Sequence, residues 1–76
     1  MKTYFKSTVG DIQLMLDDET KKIQLLQFNS FTKSIAEFVN EVTYNKFLSQ
    51  TTDINKWTSS TEEEFNSTKN EVITNI

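Results

Sequence analysis

Residues 12–28 read IQLMLDDETKKIQLLQF, and this stretch decides the fold. Apolar side chains alternate with their neighbours on both sides of a polar run, an arrangement typical of half-buried strands. The polar run, residues 17–22, carries charges of both signs and predicts the turn between two antiparallel strands. The alternating apolar residues are Ile12, Leu14, Leu16, Ile23 and Leu25.

The register of this hairpin follows from pairing residues whose numbers sum to 39. Leu14 then lies opposite Leu25, and Asp17 lies opposite Lys22. Opposite charges across two strands contribute about 0.2–1 kcal/mol per pair, which favours this register. Because Glu19-Thr20 suits a tight two-residue turn poorly, we expect a four-residue loop around a type I turn.

A second turn at Gly10 adds a strand before the hairpin, because glycine adopts a positive φ without steric cost. Residues 2–28 therefore predict a three-stranded antiparallel β-meander, with Phe5 on the same face as Leu14. Large apolar groups on the other face need a cover, since such patches rarely stay exposed. Either the C-terminal segment or a second copy of the chain could provide it. These groups are Tyr4, Met15, Leu26 and Phe28.

Residues 31–48 change to a spacing of three and four between apolar residues, which predicts a helix capped by Asn29 or Ser30. A helix of this length spans about 27 Å, enough to cover three short strands. Sheet and helix together predict an α+β fold. The apolar positions with helical spacing are Phe31, Ile35, Phe38, Val39 and Val42. The residues expected to be buried are Leu14, Leu25, Ile35 and Phe38.

The last part of the chain predicts a weaker helical segment over about residues 61–75. Ser60 and Glu63 fit a capping box at its start, and glutamates in a first turn suit the helix dipole. An alternative is one helix over residues 53–76 capped by Asp53. Four consecutive Ser and Thr residues in its middle favour a break.

Composition divides the chain into a compact α+β body, residues 1–50, and an acidic helical appendage, residues 51–76, within a single domain. Ser, Thr and Asn account for 14 of the 28 residues from 49 to 76. The net charge of −3 also lies in the appendage. A domain of 76 residues buries only about 60% of its unfolded surface, and there is no Cys for a disulfide. We therefore expect stabilisation by a homo-oligomer, a dimer or larger, or by a partner.

The composition also excludes most enzymatic chemistry. The chain has no His, Cys or Arg and only one Gly. The commonest general base, metal ligand and thiol nucleophile are therefore missing, as is a glycine-rich phosphate loop. The acidic residues around the hairpin turn lack the glycine of a calcium-binding loop and lie beside two lysines. We expect no enzyme activity, no cofactor and no metal.

The charge balance and hydropathy constrain the partners and the location. A negative net charge without a basic patch disfavours nucleic acid, and with it a DNA-binding regulator. The longest apolar run is Leu14–Leu16, so we expect no membrane span and no secretory leader. Lysine without arginine, with many Asn and Thr, is typical of AT-rich genomes such as those of low-GC bacteria and their phages. The expected location is the cytoplasm, or the host cytoplasm if a phage encodes the protein.

These exclusions favour a non-enzymatic protein-binding module, a small inhibitor or regulator of a larger bacterial protein. A phage or mobile-element accessory protein that blocks host defence fits the size and acidity. The alternative is a small self-assembling structural subunit that forms a homo-oligomer. Tyr44, Phe47 and Trp57 lie where the body meets the appendage, and they either complete a core that is short of volume or form an interface. For the interface, Trp57 is the preferred anchor, because Trp and Tyr are favoured in binding hot spots. The candidate interface residues are Trp57, Phe47, Tyr44, Tyr4, Met15, Leu26, Glu62, Glu63 and Glu64.

Overall fold

A computed structural model describes residues 1–74 and shows a five-stranded antiparallel sheet with two helices. The predicted α+β class is confirmed. The strand order across the sheet is β4-β3-β2-β1-β5, so the first and last strands of the sequence are neighbours. The elements are β1 (Lys2–Ser7), β2 (Ile12–Asp17), β3 (Lys22–Phe28), β4 (Lys33–Val39), α1 (Glu41–Gln50), β5 (Trp57–Ser60) and α2 (Glu62–Thr74).

The predicted meander forms the centre of the sheet as β1, β2 and β3. Leu14 pairs with Leu25 and Asp17 with Lys22, so the predicted hairpin register is confirmed. Four residues connect β2 to β3, and Lys21 closes this loop with a φ of 58°. Gly10 has a φ of 82°, as the predicted turn between β1 and β2 requires.

The helix predicted over residues 31–48 is wrong in its first half, where β4 pairs with β3 instead. Asn29, predicted to cap the helix, caps a turn. Its Oδ1 accepts hydrogen bonds from the backbone N–H groups of Phe31 at 2.8 Å and Thr32 at 2.6 Å. The Asn29 N–H donates to the Thr32 carbonyl at 2.9 Å. Asn is favoured both as a helix N-cap and in turns, because its side chain accepts the same local hydrogen bonds in each. Here these bonds form a turn that brings the chain back alongside β3.

The second half of the predicted helix is α1, which starts only after Asn40. The Asn40 side chain accepts a hydrogen bond from the Thr43 N–H at 3.0 Å and caps the helix. The shorter helix leaves Phe38 43% exposed, so its predicted burial is wrong. Leu14 is fully buried as predicted, whereas Leu25 and Ile35 are half-buried.

The tail contains a strand that the sequence did not predict. Residues 57–60 form β5 and pair with β1, so a single helix over residues 53–76 is wrong and the predicted break is real. The helix that follows is α2, and position 75 of its predicted range lies outside the described residues. Thr61 caps it rather than Ser60, because the Glu64 N–H donates to Thr61 Oγ1 at 3.1 Å.

The two helices lie on opposite faces of the sheet. On one face, Tyr44 of α1 packs against a buried cluster of the central strands, Leu14, Leu16 and Ile23. On the other face, Phe65 of α2 packs against Met15 and Leu26. The apolar second face is therefore covered by the C-terminal segment of the same chain. Neither helix of residues 1–74 has the length and hydropathy needed to cross a membrane.

Candidate protein-binding surface

Three aromatic side chains meet on the α1 face of the sheet. Tyr44 is buried in the cluster of the central strands, and Phe47 and Trp57 are half-buried against the same cluster. The Lys21 ammonium lies 4.8 Å from the centre of the Tyr44 ring, in a cation–π contact. We call Tyr44, Phe47 and Trp57 the aromatic face. Strand β5 supplies Trp57 and helix α1 supplies the other two.

Tyr44 is held in its neutral form. Burial raises the pKa of its phenol, and the negative charges of Asp18 and Asp17 raise it further. With its pKa raised from the ordinary value of a tyrosine, the phenol adds no negative charge to the aromatic face near neutral pH. Tyr44 therefore contributes apolar area and a hydroxyl, not a charge.

A cleft of about 420 Å³ opens beside Trp57. The turn that forms its wall is fixed by the Asp53 carbonyl, which accepts hydrogen bonds from the N–H groups of Lys56 and Trp57 at 3.0 Å each. The exposed apolar residues Leu48 and Ile54 lie in the same segment of chain. The cleft has space for a side chain of another protein, with polar groups at its rim. Its lining residues are Ser49, Gln50, Asp53, Lys56 and Trp57.

A second group of predicted interface residues lies on the opposite face. Met15 and Leu26 are buried beneath α2 in contact with Phe65, and Tyr4 packs against them half-buried. The rings of Tyr4 and Phe65 have centroids 5.3 Å apart. Burial raises the pKa of the Tyr4 phenol, as do the charges of Glu62 and Asp17. Because α2 covers these residues, their apolar area is used within the chain.

Sequence reasoning missed a polar layer beneath α2. Gln13 Nε2 donates to Thr68 Oγ1 at 2.7 Å, and the Lys69 ammonium donates to Gln24 Oε1 at 3.2 Å. Gln24 also donates to a carboxylate oxygen of Glu37 on β4. A signal was available, because strand alternation places both glutamines on the face of Met15 and Leu26. Buried amides need partners, which here come from α2 and from Glu37 of β4.

A second cavity, of about 240 Å³, lies between α2 and the turn at Gly10. Two pairs of its lining residues are bonded to each other, Lys6 to Glu64 and Gln13 to Thr68. Gln13 Oε1 is buried and has no hydrogen-bond partner among the described residues. The groups that could bind a ligand here are thus largely engaged within the chain.

The three glutamates at the start of α2 have different surroundings. Glu62 and Glu63 are exposed. Glu64 is half-buried and accepts hydrogen bonds from the Lys6 ammonium at 2.8 Å and from Ser60 Oγ at 3.1 Å. Glu64 therefore ties α2 to strands β1 and β5.

This tie predicts a pH dependence of stability. The hydrogen bond from Lys6, followed by that from Ser60, holds the pKa of the Glu64 carboxyl below its ordinary value of 4.5. A carboxyl with a lowered pKa in the folded state stabilises the fold above its unfolded-state pKa and loses this contribution as the pH falls through its folded-state pKa. We expect the melting temperature of Glu64→Gln to fall less steeply below about pH 4.5 than that of the wild type. Melting curves between pH 7 and pH 3 test this, with Glu62→Gln as the matched control. Equal slopes for the wild type and Glu64→Gln would contradict it.

Residues 1–74 contain no group of three or more His, Cys, Asp or Glu side chains that could hold a metal ion. Comparison of the chain with protein-family models, with curated proteins and with solved structures yields no match. The function is therefore argued from the geometry of the aromatic face and its cleft.

Proposed function

We propose that this chain is a non-enzymatic protein-binding module, a small inhibitor or regulator that binds a larger bacterial protein through the aromatic face. The observation that carries the proposal is the placement of Trp57. The single Trp of the chain is half-buried at one edge of the sheet and lines an open cleft. The part of the ring that the chain leaves exposed is available to a partner.

The surroundings of Trp57 suit an anchor of a protein interface. Its ring rests on a buried apolar cluster, and its backbone N–H is bonded to the Asp53 carbonyl, so little conformational freedom is lost on binding. Leu48 is 44% exposed and Ile54 is 81% exposed. Both residues lie within nine positions of Trp57 in the sequence, and an ordered Trp is the residue type most enriched in hot spots of protein interfaces.

The kind of partner follows from composition. A negatively charged chain without a basic patch suits a protein rather than a nucleic acid. Its small size and its amino-acid composition, with Lys but no Arg and many Asn and Thr, suit a phage or mobile-element accessory protein. Such a protein would act in the host cytoplasm, where blocking a host defence protein is one such role.

Capture of the partner and measurement of its affinity test the proposal. The chain is used to capture proteins from a low-GC bacterial lysate, and the partner identified by mass spectrometry is purified and titrated. We expect Trp57→Ala to weaken binding by about 30-fold or more, because an aromatic anchor contributes about 2 kcal/mol or more. Ile73→Ala, which removes an exposed apolar side chain from α2, is the control and should bind like the wild type.

The melting temperature of each variant separates binding from folding. Lost affinity with an unchanged melting temperature supports the anchor. Trp57→Ala with a lowered melting temperature but full affinity of the folded fraction would contradict it. If Glu62, Glu63 and Glu64 made the contact instead, their change to Gln would slow association and added salt would have the same effect.

A second candidate function, a self-assembling subunit, is favoured by a different observation. Strand β4 lies at the other edge of the sheet and is bordered by exposed apolar residues, Phe31 and Val39 among them. An open strand edge of this kind favours pairing with another chain.

A further inference from the structure

The outer edge of β4 is an unpaired edge of the sheet. Within residues 1–74, β4 pairs only with β3, and its seven residues make it longer than β5 at the other edge. Phe31 before the strand is 96% exposed and Val39 at its end is 71% exposed. A long edge strand with exposed apolar neighbours is a template for pairing with another strand.

The register of β3 and β4 determines which backbone groups face outward. The Asn29 N–H donates to the Thr32 carbonyl, which continues the pairing of the two strands into the turn. Hydrogen-bonded pairs recur at every second residue of an antiparallel ladder. Counting from Thr32, the backbone N–H and C=O groups of the even-numbered residues of β4 therefore point toward β3. The N–H and C=O groups of Lys33, Ile35 and Glu37 therefore point away from the sheet.

We propose that two copies of the chain pair through β4, antiparallel, in the register in which the residue numbers of the two strands sum to 70. Ile35 then lies opposite Ile35 of the second copy. Lys33 lies opposite Glu37 twice, and the turn residues before Lys33 stay outside the ladder. In this register the outward backbone groups of one strand face those of the other, and the two sheets join into one of ten strands.

Charge selects this register among those that the backbone allows. The outward N–H and C=O groups belong to odd-numbered residues of β4. They lie opposite one another in the two strands only when the paired residue numbers sum to an even number. A sum of 66 places Lys33 opposite Lys33, and a sum of 74 places Glu37 opposite Glu37, so like charges repel. Sums of 68 and 72 place each charged residue opposite an apolar one. Only a sum of 70 pairs opposite charges.

The same symmetry identifies the occupant as a second copy. Lys33 and Glu37 lie on the same strand at equal distances from Ile35, so the strand is complementary to itself about a two-fold axis. Pairing would also place a second chain beside Val39, which is 71% exposed at the end of the strand. This inference is independent of the aromatic face, because Trp57 lies on β5 at the far edge of the sheet.

Sedimentation equilibrium of charge-reversal variants tests the dimer. The wild type should sediment as a dimer of twice 8.9 kDa and dissociate on dilution. Glu37→Lys and Lys33→Glu should each raise the dissociation constant of the dimer by about ten-fold or more, because two like-charge pairs replace two opposite-charge pairs. Glu63→Lys makes the same charge change on the exposed surface of α2 and should leave the dimer intact.

Mixing the two variants gives the sharpest result. Glu37→Lys has a lysine at both positions and Lys33→Glu has a glutamate at both, so an equimolar mixture restores both opposite-charge pairs. We expect a heterodimer in the mixture and a restored homodimer in the double variant Lys33→Glu/Glu37→Lys. Circular dichroism of each variant confirms that it is folded, since Glu37 also contacts Gln24 and Lys22.

Three results would each overturn the inference. The first is a wild type that remains monomeric up to about 1 mM, the weakest association that such a dimer could have. The second is a mixture of folded variants that forms no heterodimer. The third is a monomeric wild type whose β4 variants lose binding to a different protein, which would give the edge another occupant.

Discussion

Phe65→Ala should lower the free energy of unfolding by about 3–5 kcal/mol, the range for removing a buried aromatic ring. Phe65 is only 2% exposed and packs against Met15, Leu26 and the Tyr4 ring. Phe65 and Val72 are the buried side chains of α2, and Phe65 is the larger, so its loss should loosen the helix. Urea denaturation followed by circular dichroism measures the change, with Asn66→Ala, an exposed neighbour on the same helix, as control.

The expected loss for Phe65→Ala is large relative to the total free energy of unfolding of the chain. At about 0.05–0.15 kcal/mol per residue, a chain of this length has a total stability of about 4–11 kcal/mol. Phe65→Ala should therefore remove a large share of this stability and strongly lower the urea concentration at the midpoint of unfolding. A loss below about 1 kcal/mol would mean that α2 does not pack on the sheet as described.

Leu14→Ala should cost about 2–5 kcal/mol. Leu14 is fully buried at the centre of the α1 face, next to Leu25 and Phe5 on the paired strands. Removing its side chain leaves a cavity that three paired strands cannot close by a small shift. Thermal and urea unfolding measure the loss.

Phe38→Ala is the informative comparison for Leu14→Ala. Its side chain is 43% exposed at the edge strand, so we expect a loss of about 1 kcal/mol or less. The sequence alone predicted both residues in the core. Equal losses of unfolding free energy for the two variants would contradict the exposed position of Phe38. They would support the helix that the spacing predicted over residues 31–48.

The central hairpin could be predicted because everything that determines it is local. Alternation fixes the two faces, and Asp17 opposite Lys22 fixes the register, all within seventeen residues. The segment 33–39 could not be assigned in the same way. Its apolar residues fit both the two-residue period of a strand and the 3.6-residue period of a helix. Only pairing with β3 decides between the two. Asn29 does not distinguish a helix from a strand in the residues that follow it, because an Asn side chain caps a turn and a helix with the same hydrogen bonds.

Only part of the surface around Trp57 could be predicted from the sequence. Its isolation in a polar segment drew attention to it, and the structure places it on one apolar cluster with Phe47 and Tyr44. The strand that holds it depends on pairing with β1, about fifty residues away in the sequence. Nothing in residues 57–60 themselves, a Trp followed by Thr and Ser, identifies that partner.

The neighbouring positions of β1 and β5 in the sheet have a consequence for synthesis on the ribosome. Strand β1 is flanked by β2 and by β5, and its Tyr4 packs with Phe65 of α2, which follows all the strands in the sequence. The nascent chain can form the central hairpin early, but its Met15 and Leu26 remain uncovered until α2 leaves the exit tunnel. Completion of the fold therefore waits for α2, and a chain stalled or truncated before α2 exposes an apolar surface that chaperones and proteases recognise.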